Sequence, residues 1–242
     1  PDPMTIDHAG QYHRHLANAY VIADFEQRQL ATWDTIQQSA QEHGVTVELD
    51  QDLLTEINCL VEWPVALCGE FEERFLEVPD IALIAAMKGH QKYFHTRDTS
   101  GALSNRFITV SNIESKDPKQ VIAGNQRVIR ARLSDAKFFF DLDQKETLAA
   151  RRPRLDHITF HPKLGSLGAK TERVQSLGSK ITQSIGADVD LFQRATALSR
   201  CDLVTEMVLE FDELQGQIGT IYAGLDGEPN EVAWAIEGLY QP

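Results

Sequence analysis

The side chains best suited to chemistry in this sequence are cations. Arg127, Arg130, Arg132, Lys137, Arg151, Arg152, Arg154, Lys163, Lys170 and Arg173 crowd into one stretch of the chain. Guanidinium and ammonium groups neutralise phosphate and grip it through N–H donors. The formal net charge of −13 looks wrong for such a partner, so its distribution matters. Residues 1–100 hold 6 Lys/Arg against 17 Asp/Glu, residues 101–173 hold 14 against 8, and residues 174–242 hold 3 against 11. A basic island between acidic flanks predicts contact with a phosphate-bearing polyanion at the island and repulsion elsewhere. The competing reading is that these cations solvate a helical surface.

Other reactive types are sparse. Asp202, Thr205 and Glu206 form a polar group in which Asp202 reads as a helix cap or an ion-pair partner. His8, His13 and His15 cluster near the start, but two histidines one residue apart do not share a helical face, which disfavours zinc. His157 and His161 flank Phe160 in a basic connection; they either stack on RNA bases or sit partly buried. His90 and His95 read as surface residues. Cys59, Cys68 and Cys201 contain no C-x-x-C pair and read as buried thiols of a reducing, cytoplasmic compartment. Neither G-x-x-x-x-G-K-[ST] nor a strand-borne G-x-G-x-x-G occurs. No residue is assigned as catalytic or as a metal ligand. A hydrophobic content of 42% and the lack of low-complexity tracts give a globular chain, and no apolar run reaches membrane-spanning length.

The element that must position the cations is a long helix over 115–143. Asp117-Pro118 supplies an N-cap followed by proline at the first helical position, with Gln120 placed for a capping box. Ile122, Ile129, Leu133, Ala136 and Phe140 recur at helical spacing, while Lys119, Arg127, Arg130 and Lys137 share a different sector. Before it, 7–43 reads as mainly helical up to Gly44, with a second helix over 51–61 placing Leu53, Leu54, Ile57 and Leu60-Val61 inward. Glu62-Trp63-Pro64 breaks that helix, and Val65–Cys68 reads as a buried strand. Residues 70–76 and 79–87 read as short helices. Residues 92–96 and 103–113 form a hairpin across Arg97–Gly101. From about residue 118 no strand is expected. Helices fall over 146–158 (broken at Pro153), 170–185 with Val174, Leu177, Ile181 and Ile185 as its apolar stripe, 189–211, 214–223 and 231–240. Residues 161–165 are a connection.

The run Phe107-Ile-Thr-Val-Ser-Asn-Ile-Glu-Ser-Lys-Asp-Pro118, then Gly124-Asn125, Val128, Arg132-Leu-Ser-Asp-Ala136 and Phe138–Phe140, resembles the β subunit of the bacterial heterotetrameric glycyl-tRNA synthetase. The Leu60–Leu67 and Met87–Phe94 blocks and matches from Thr5 to Tyr240 extend the likeness over nearly the whole chain. Pro1-Asp-Pro3 precedes it and reads as foreign to the family, so an internal fragment is expected. Ala169 departs from an acidic residue in Leu164–Lys170, as do Ile81 and Gly238-Leu239 at their positions.

The resemblance implies an α+β fold. A partial mixed α/β module over 1–116 is similar to the editing-like module of the phenylalanyl-tRNA synthetase β subunit. An all-helical HD-like domain follows over 117–242. Cys201-Asp202 stands about where the HD superfamily carries a His-Asp metal pair, so a degenerate module without metal is expected. The resemblance further implies a tRNA-binding, non-catalytic piece of glycine–tRNA ligase. Its expected partners are glycine tRNA, the α subunit and the remainder of β, with ATP and Mg²⁺ used by α. An HD-type metal phosphohydrolase and a docking module that never touches RNA remain the alternatives.

Overall fold

The computed structural model describes residues 4–241, so the expectation for Pro1-Asp-Pro3 lies outside the described residues, as does the side chain of His90. The chain divides into two compact units, one ending at Ser134 and one beginning at Asp135.

The first unit is α+β. After α1 (Tyr12–Asn18), helix α2 (Phe25–Glu42) begins where Asp24 Oδ1 accepts the Gln27 N–H. It gives way to Gly44 at φ +67°, a left-handed conformation that glycine adopts without strain. Helix α3 (Gln51–Leu60) is capped by Asp50, and β1 (Pro64–Glu70) follows the proline break. A 3₁₀ turn (Glu73–Glu77), α4 (Asp80–Gln91), β2 (Phe94–Arg97) and β3 (Leu103–Asn112) complete the expected hairpin. The sheet is antiparallel in the order β1-β3-β2.

Period-2 alternation gives this sheet two faces. Ile108 and Phe94 join Ile36, Ala40, Leu53, Leu54, Ile57 and Val61 in one core under α2 and α3. Phe107 points the other way, stacks on Tyr93 at 4.7 Å and stands opposite Gly69 in the register. Leu60, expected inward, is exposed, because α3 buries only the sector carrying Leu53, Leu54 and Ile57. His95, expected on the surface, is half-buried, and its Nε2 has no hydrogen-bond partner. Of the cysteines, Cys201 is buried as expected, while Cys68 is half-buried and Cys59 is exposed.

Helix α5 (Pro118–Asp143) starts as expected, with Asp117 Oδ1 accepting the Gln120 N–H at 3.3 Å. Ile129, Leu133 and Ala136 are fully buried, while Ile122 and Phe140 are half-buried. The units divide later than the expected 116/117 boundary because the opening turns of α5 pack within the first. Tyr93 Oη donates to Asn125 Oδ1 at 2.6 Å, and Arg130 Nε meets Glu72 Oε1 at 2.6 Å.

The second unit holds α6 (Leu148–Arg151), a 3₁₀ turn (Arg152–His157), α7 (Leu167–Ser184), α8 (Val189–Leu198), a 3₁₀ turn (Cys201–Val204), α9 (Glu206–Glu210), α10 (Gln217–Leu225) and α11 (Asn230–Gly238). It is not all-helical. Strands β4 (Thr159–His161) and β5 (Gly165–Ser166) form an antiparallel ribbon where a plain connection was expected. Pairs this short carry no readable alternation, and Gly165 at φ +84° turns the chain.

The expected core stripe of α7 is corrected as well: Val174, Leu177, Ile181 and Ile185 all face outward. The helix buries Gly168, Thr171 and Thr182 instead, and the Phe192 ring of α8 sits directly on Gly178. Small residues let two helix backbones approach closely, so the small-residue sector won the contact.

Candidate nucleic-acid interface

The ten cations separate into structural and available groups. Arg151 is buried, contrary to its expected role at a phosphate. Its Nη2 donates to the Asp143 carbonyl at 2.6 Å and the Glu146 carbonyl at 3.2 Å, and lies 3.3 Å from the Asp143 carboxylate. Asp143 in turn accepts the Glu206 and Met207 N–H groups at 3.0 Å and the Tyr222 hydroxyl at 3.1 Å. Burial and the Asp143 charge hold the Tyr222 phenol protonated, far above its ordinary pKa. This network ties α5, α6, α9 and α10 together. A guanidinium so enclosed has no face left for RNA.

Four others are engaged at the surface. Arg130 pairs with Glu72, Lys137 with Asp141 at 3.2 Å, and Arg154 with Glu146. Arg152 reaches Asp156 at 3.4 Å, Glu172 at 4.0 Å and the Gly168 carbonyl at 3.2 Å. Exposed pairs of this kind are worth about 0–1 kcal/mol, so a phosphate competes with them readily.

Among the described residues Arg127, Arg132, Lys163 and Arg173 form no ion pair, and Arg127, Lys163 and Arg173 are exposed. Arg127 and Arg132 belong to the first unit's share of α5. Lys163 and Arg173 belong to the second unit, where a tighter constellation forms. Ser166 Oγ accepts the Ala169 N–H and starts α7, which places Lys170 one turn in. The Lys170 ammonium lies 4.0 Å from the centroid of the exposed Phe160 ring on β4. Desolvation lowers the Lys170 pKa, and the charges of Arg200 and Arg173 add to the effect.

The Arg173 and Arg200 charges thus both act on Lys170, and among the described residues none of the three is ion-paired, although Arg200 also acts on the buried Asp202 carboxyl. Like charge of this kind favours binding an anion. Reading along the sequence missed Arg200, which lies in the acidic final third. Only its position beyond α8 brings it to the island. His157 and His161 beside Phe160 are exposed rather than partly buried. Phe160 and His161 are thus exposed on β4, with the Lys170 ammonium over the Phe160 ring.

The metal site of the HD superfamily does not fit these residues. The Cys201 Sγ–H donates to the Ala197 carbonyl at 3.5 Å, and burial pushes its pKa up to about 12, leaving it a thiol. Burial also raises the Asp202 pKa, and Asp202 Oδ2 is spent on the Gly216 N–H at 2.6 Å. No group of three His, Cys, Asp or Glu side chains suited to a metal ion occurs among the described residues.

The family model described as "Glycyl-tRNA synthetase beta subunit" matches residues 1–242, so the match takes in Pro1-Asp-Pro3, which was expected to be foreign to the family. The chain belongs to that family. It is 52% identical over 242 residues to the glycine–tRNA ligase beta subunit of Chromohalobacter salexigens, covering 100% of this chain and 35% of the relative. Identity to the beta subunit of Pseudoalteromonas translucida is 49% over 242 residues, again 100% and 35%. To that of Klebsiella pneumoniae subsp. pneumoniae it is 49% over 240 residues, 99% and 35%. The chain thus spans about a third of the length of these family members. Among the described residues no helix is long and apolar enough to cross a membrane.

Proposed function

We propose that this chain serves glycine–tRNA ligation as a tRNA-contacting and assembly part of the β subunit, without adenylate chemistry of its own. ATP and Mg²⁺ then act on the α subunit. The observation that carries the RNA role is the unpaired cluster of Lys170, Arg173 and Arg200 beside the open ring of Phe160. Cations alone fit any polyanion. An exposed aromatic face among them favours RNA with unstacked bases, which pair stacking with phosphate contact. The second unit reads as an HD-like helical module kept for shape, with Cys201-Asp202 converted from ligands to core. The family is one of ligases, and the mismatch of these residues with a metal disfavours the phosphohydrolase reading.

The test is fluorescence anisotropy of glycine tRNA with the complete β subunit carrying this sequence, titrated at several salt concentrations. Three phosphate contacts predict an affinity loss of about 20- to 40-fold between about 50 and 200 mM salt. Lys170→Ala or Arg173→Ala should each reduce the slope of log affinity against log salt by about 1. Arg154→Ala should lower it less, because a phosphate there must first displace Glu146. Equal slopes for all variants would overturn the assignment.

A further inference from the structure

The aliphatic stretch of α7 that follows Lys170 and Arg173 has no role in the RNA reading. Val174, Leu177, Ile181 and Ile185 are 40%, 63%, 53% and 72% exposed and recur at intervals of three, four and four. A continuous aliphatic strip about three turns long is not an ordinary soluble surface; scattered single residues are. We propose that this strip docks an acidic-flanked amphipathic helix supplied by the part of the family's polypeptide outside these 242 residues.

The spacing selects a helix as the occupant. Val174, Leu177 and Ile181 are successive a, d and a positions of a heptad, with Ile185 following at e. That pattern accepts the knobs of a second helix crossing at a shallow angle. Charge selects its chemistry. Arg173 and Lys180 immediately precede the two a positions and so occupy g, where coiled-coil partners exchange charges. Neither is ion-paired among the described residues. The nearest carboxylate in sequence, Glu172, faces Arg152 on another side of the helix. The occupant therefore presents an apolar seam flanked by Asp or Glu.

The same features disfavour other occupants. A second copy packed antiparallel on this face sets Arg173 and Lys180 against like charges. Packed parallel, it sets them against Gly178 and Ile185, which cannot pair with them. RNA gains nothing from four aliphatic side chains, which offer neither a stacking plane nor a donor. A helix of the same polypeptide needs little contact area, because its tether supplies a millimolar effective concentration. The curated relatives hold about two thirds of their length outside the region matched here, so such a segment is available.

The test uses the complete β-subunit polypeptide carrying this sequence, with a photo-crosslinking benzoylphenylalanine at position 177 or 181. Position 209 serves as control, since Leu209 is equally exposed but lies on α9. The expected result is an intrachain crosslink from 177 and 181, and none from 209, to one helix outside these residues that carries Asp or Glu beside its apolar seam. The exposed reversal Lys180→Glu, at a residue outside the RNA cluster, should cut that yield about twofold, as one attraction becomes a repulsion. Crosslinks to a second copy, to a separate subunit, to residues 4–134 or to added tRNA would overturn the proposal. So would the absence of a crosslink, or a yield that ignores the charge reversal.

Discussion

Replacing Asp143 by alanine tests whether Arg151 belongs to the scaffold or to the RNA surface. The substitution removes the partner of a buried guanidinium 3.3 Å away and strips the acceptor from two α9 amides and the Tyr222 hydroxyl. Breaking a buried pair on one side costs about 3–5 kcal/mol, because the remaining charge stays desolvated. Summing each charged hydrogen bond at about 1.5–3 kcal/mol would overshoot, since water can reach the partly exposed Glu206 end and the network acts as a unit. We therefore expect a loss of about 3–5 kcal/mol for Asp143→Ala and about 1.5–3 kcal/mol for Asp143→Asn, which retains an acceptor oxygen. The double variant Asp143→Leu with Arg151→Met should recover only part of the loss: no lone charge remains, but the α9 amides and the Tyr222 hydroxyl still lack their acceptor. The assay is native-state hydrogen exchange of the amides of 148–155 and 206–211 across a urea series, with tRNA anisotropy alongside. A loss below about 1 kcal/mol for Asp143→Ala would refute the reasoning. So would an Arg151→Met variant that stays stable yet loses tRNA binding.

Two further outcomes follow from single contacts. Burial, with the Arg97 charge adding to it, lowers the His95 pKa from its ordinary 6.5, while Glu48, Asp50 and Asp80 act the other way. The unfolded chain thus binds the proton more readily. The His95 contribution is complete above about pH 6.5 and falls as pH drops toward the folded pKa. Comparing urea midpoints at about pH 5 and pH 7.5, the native chain should lose more stability on acidification than His95→Gln; equal losses would refute it. Gly69→Ala places a Cβ 2.4 Å from Cζ of the fully buried Phe107 ring, which is stacked on Tyr93 and cannot swing away. A loss of about 1–3 kcal/mol is expected in thermal unfolding, despite the entropy gained by removing a strand glycine. An unchanged or raised midpoint would show that the ring yields.

Local chemistry alone determined much of this protein. The Asp117-Pro118 start of α5, the stop at Gly44, the Trp63-Pro64 break and the Arg97–Gly101 turn all depend on dihedral preference and nearby hydrogen bonds. Each acts within a few residues, so each was readable without a fold. The basic island was also legible, because charge composition needs no coordinates. What the tertiary structure decided was which member of each class does what. Arg151 and Arg154 lie three residues apart and look alike in sequence, yet one is sealed against Asp143 and the other is exposed with Glu146. Arg200 joins Lys170 only through packing across thirty residues. On α7, periodicity marked an apolar stripe correctly but could not show which sector meets α8. Hydrophobicity favours burying Leu177 and Ile181, while close packing through Gly168, Thr171, Gly178 and Thr182 buries the adjacent sector. Sequence specifies the faces a helix has; only the shape of its neighbours selects the one that is buried.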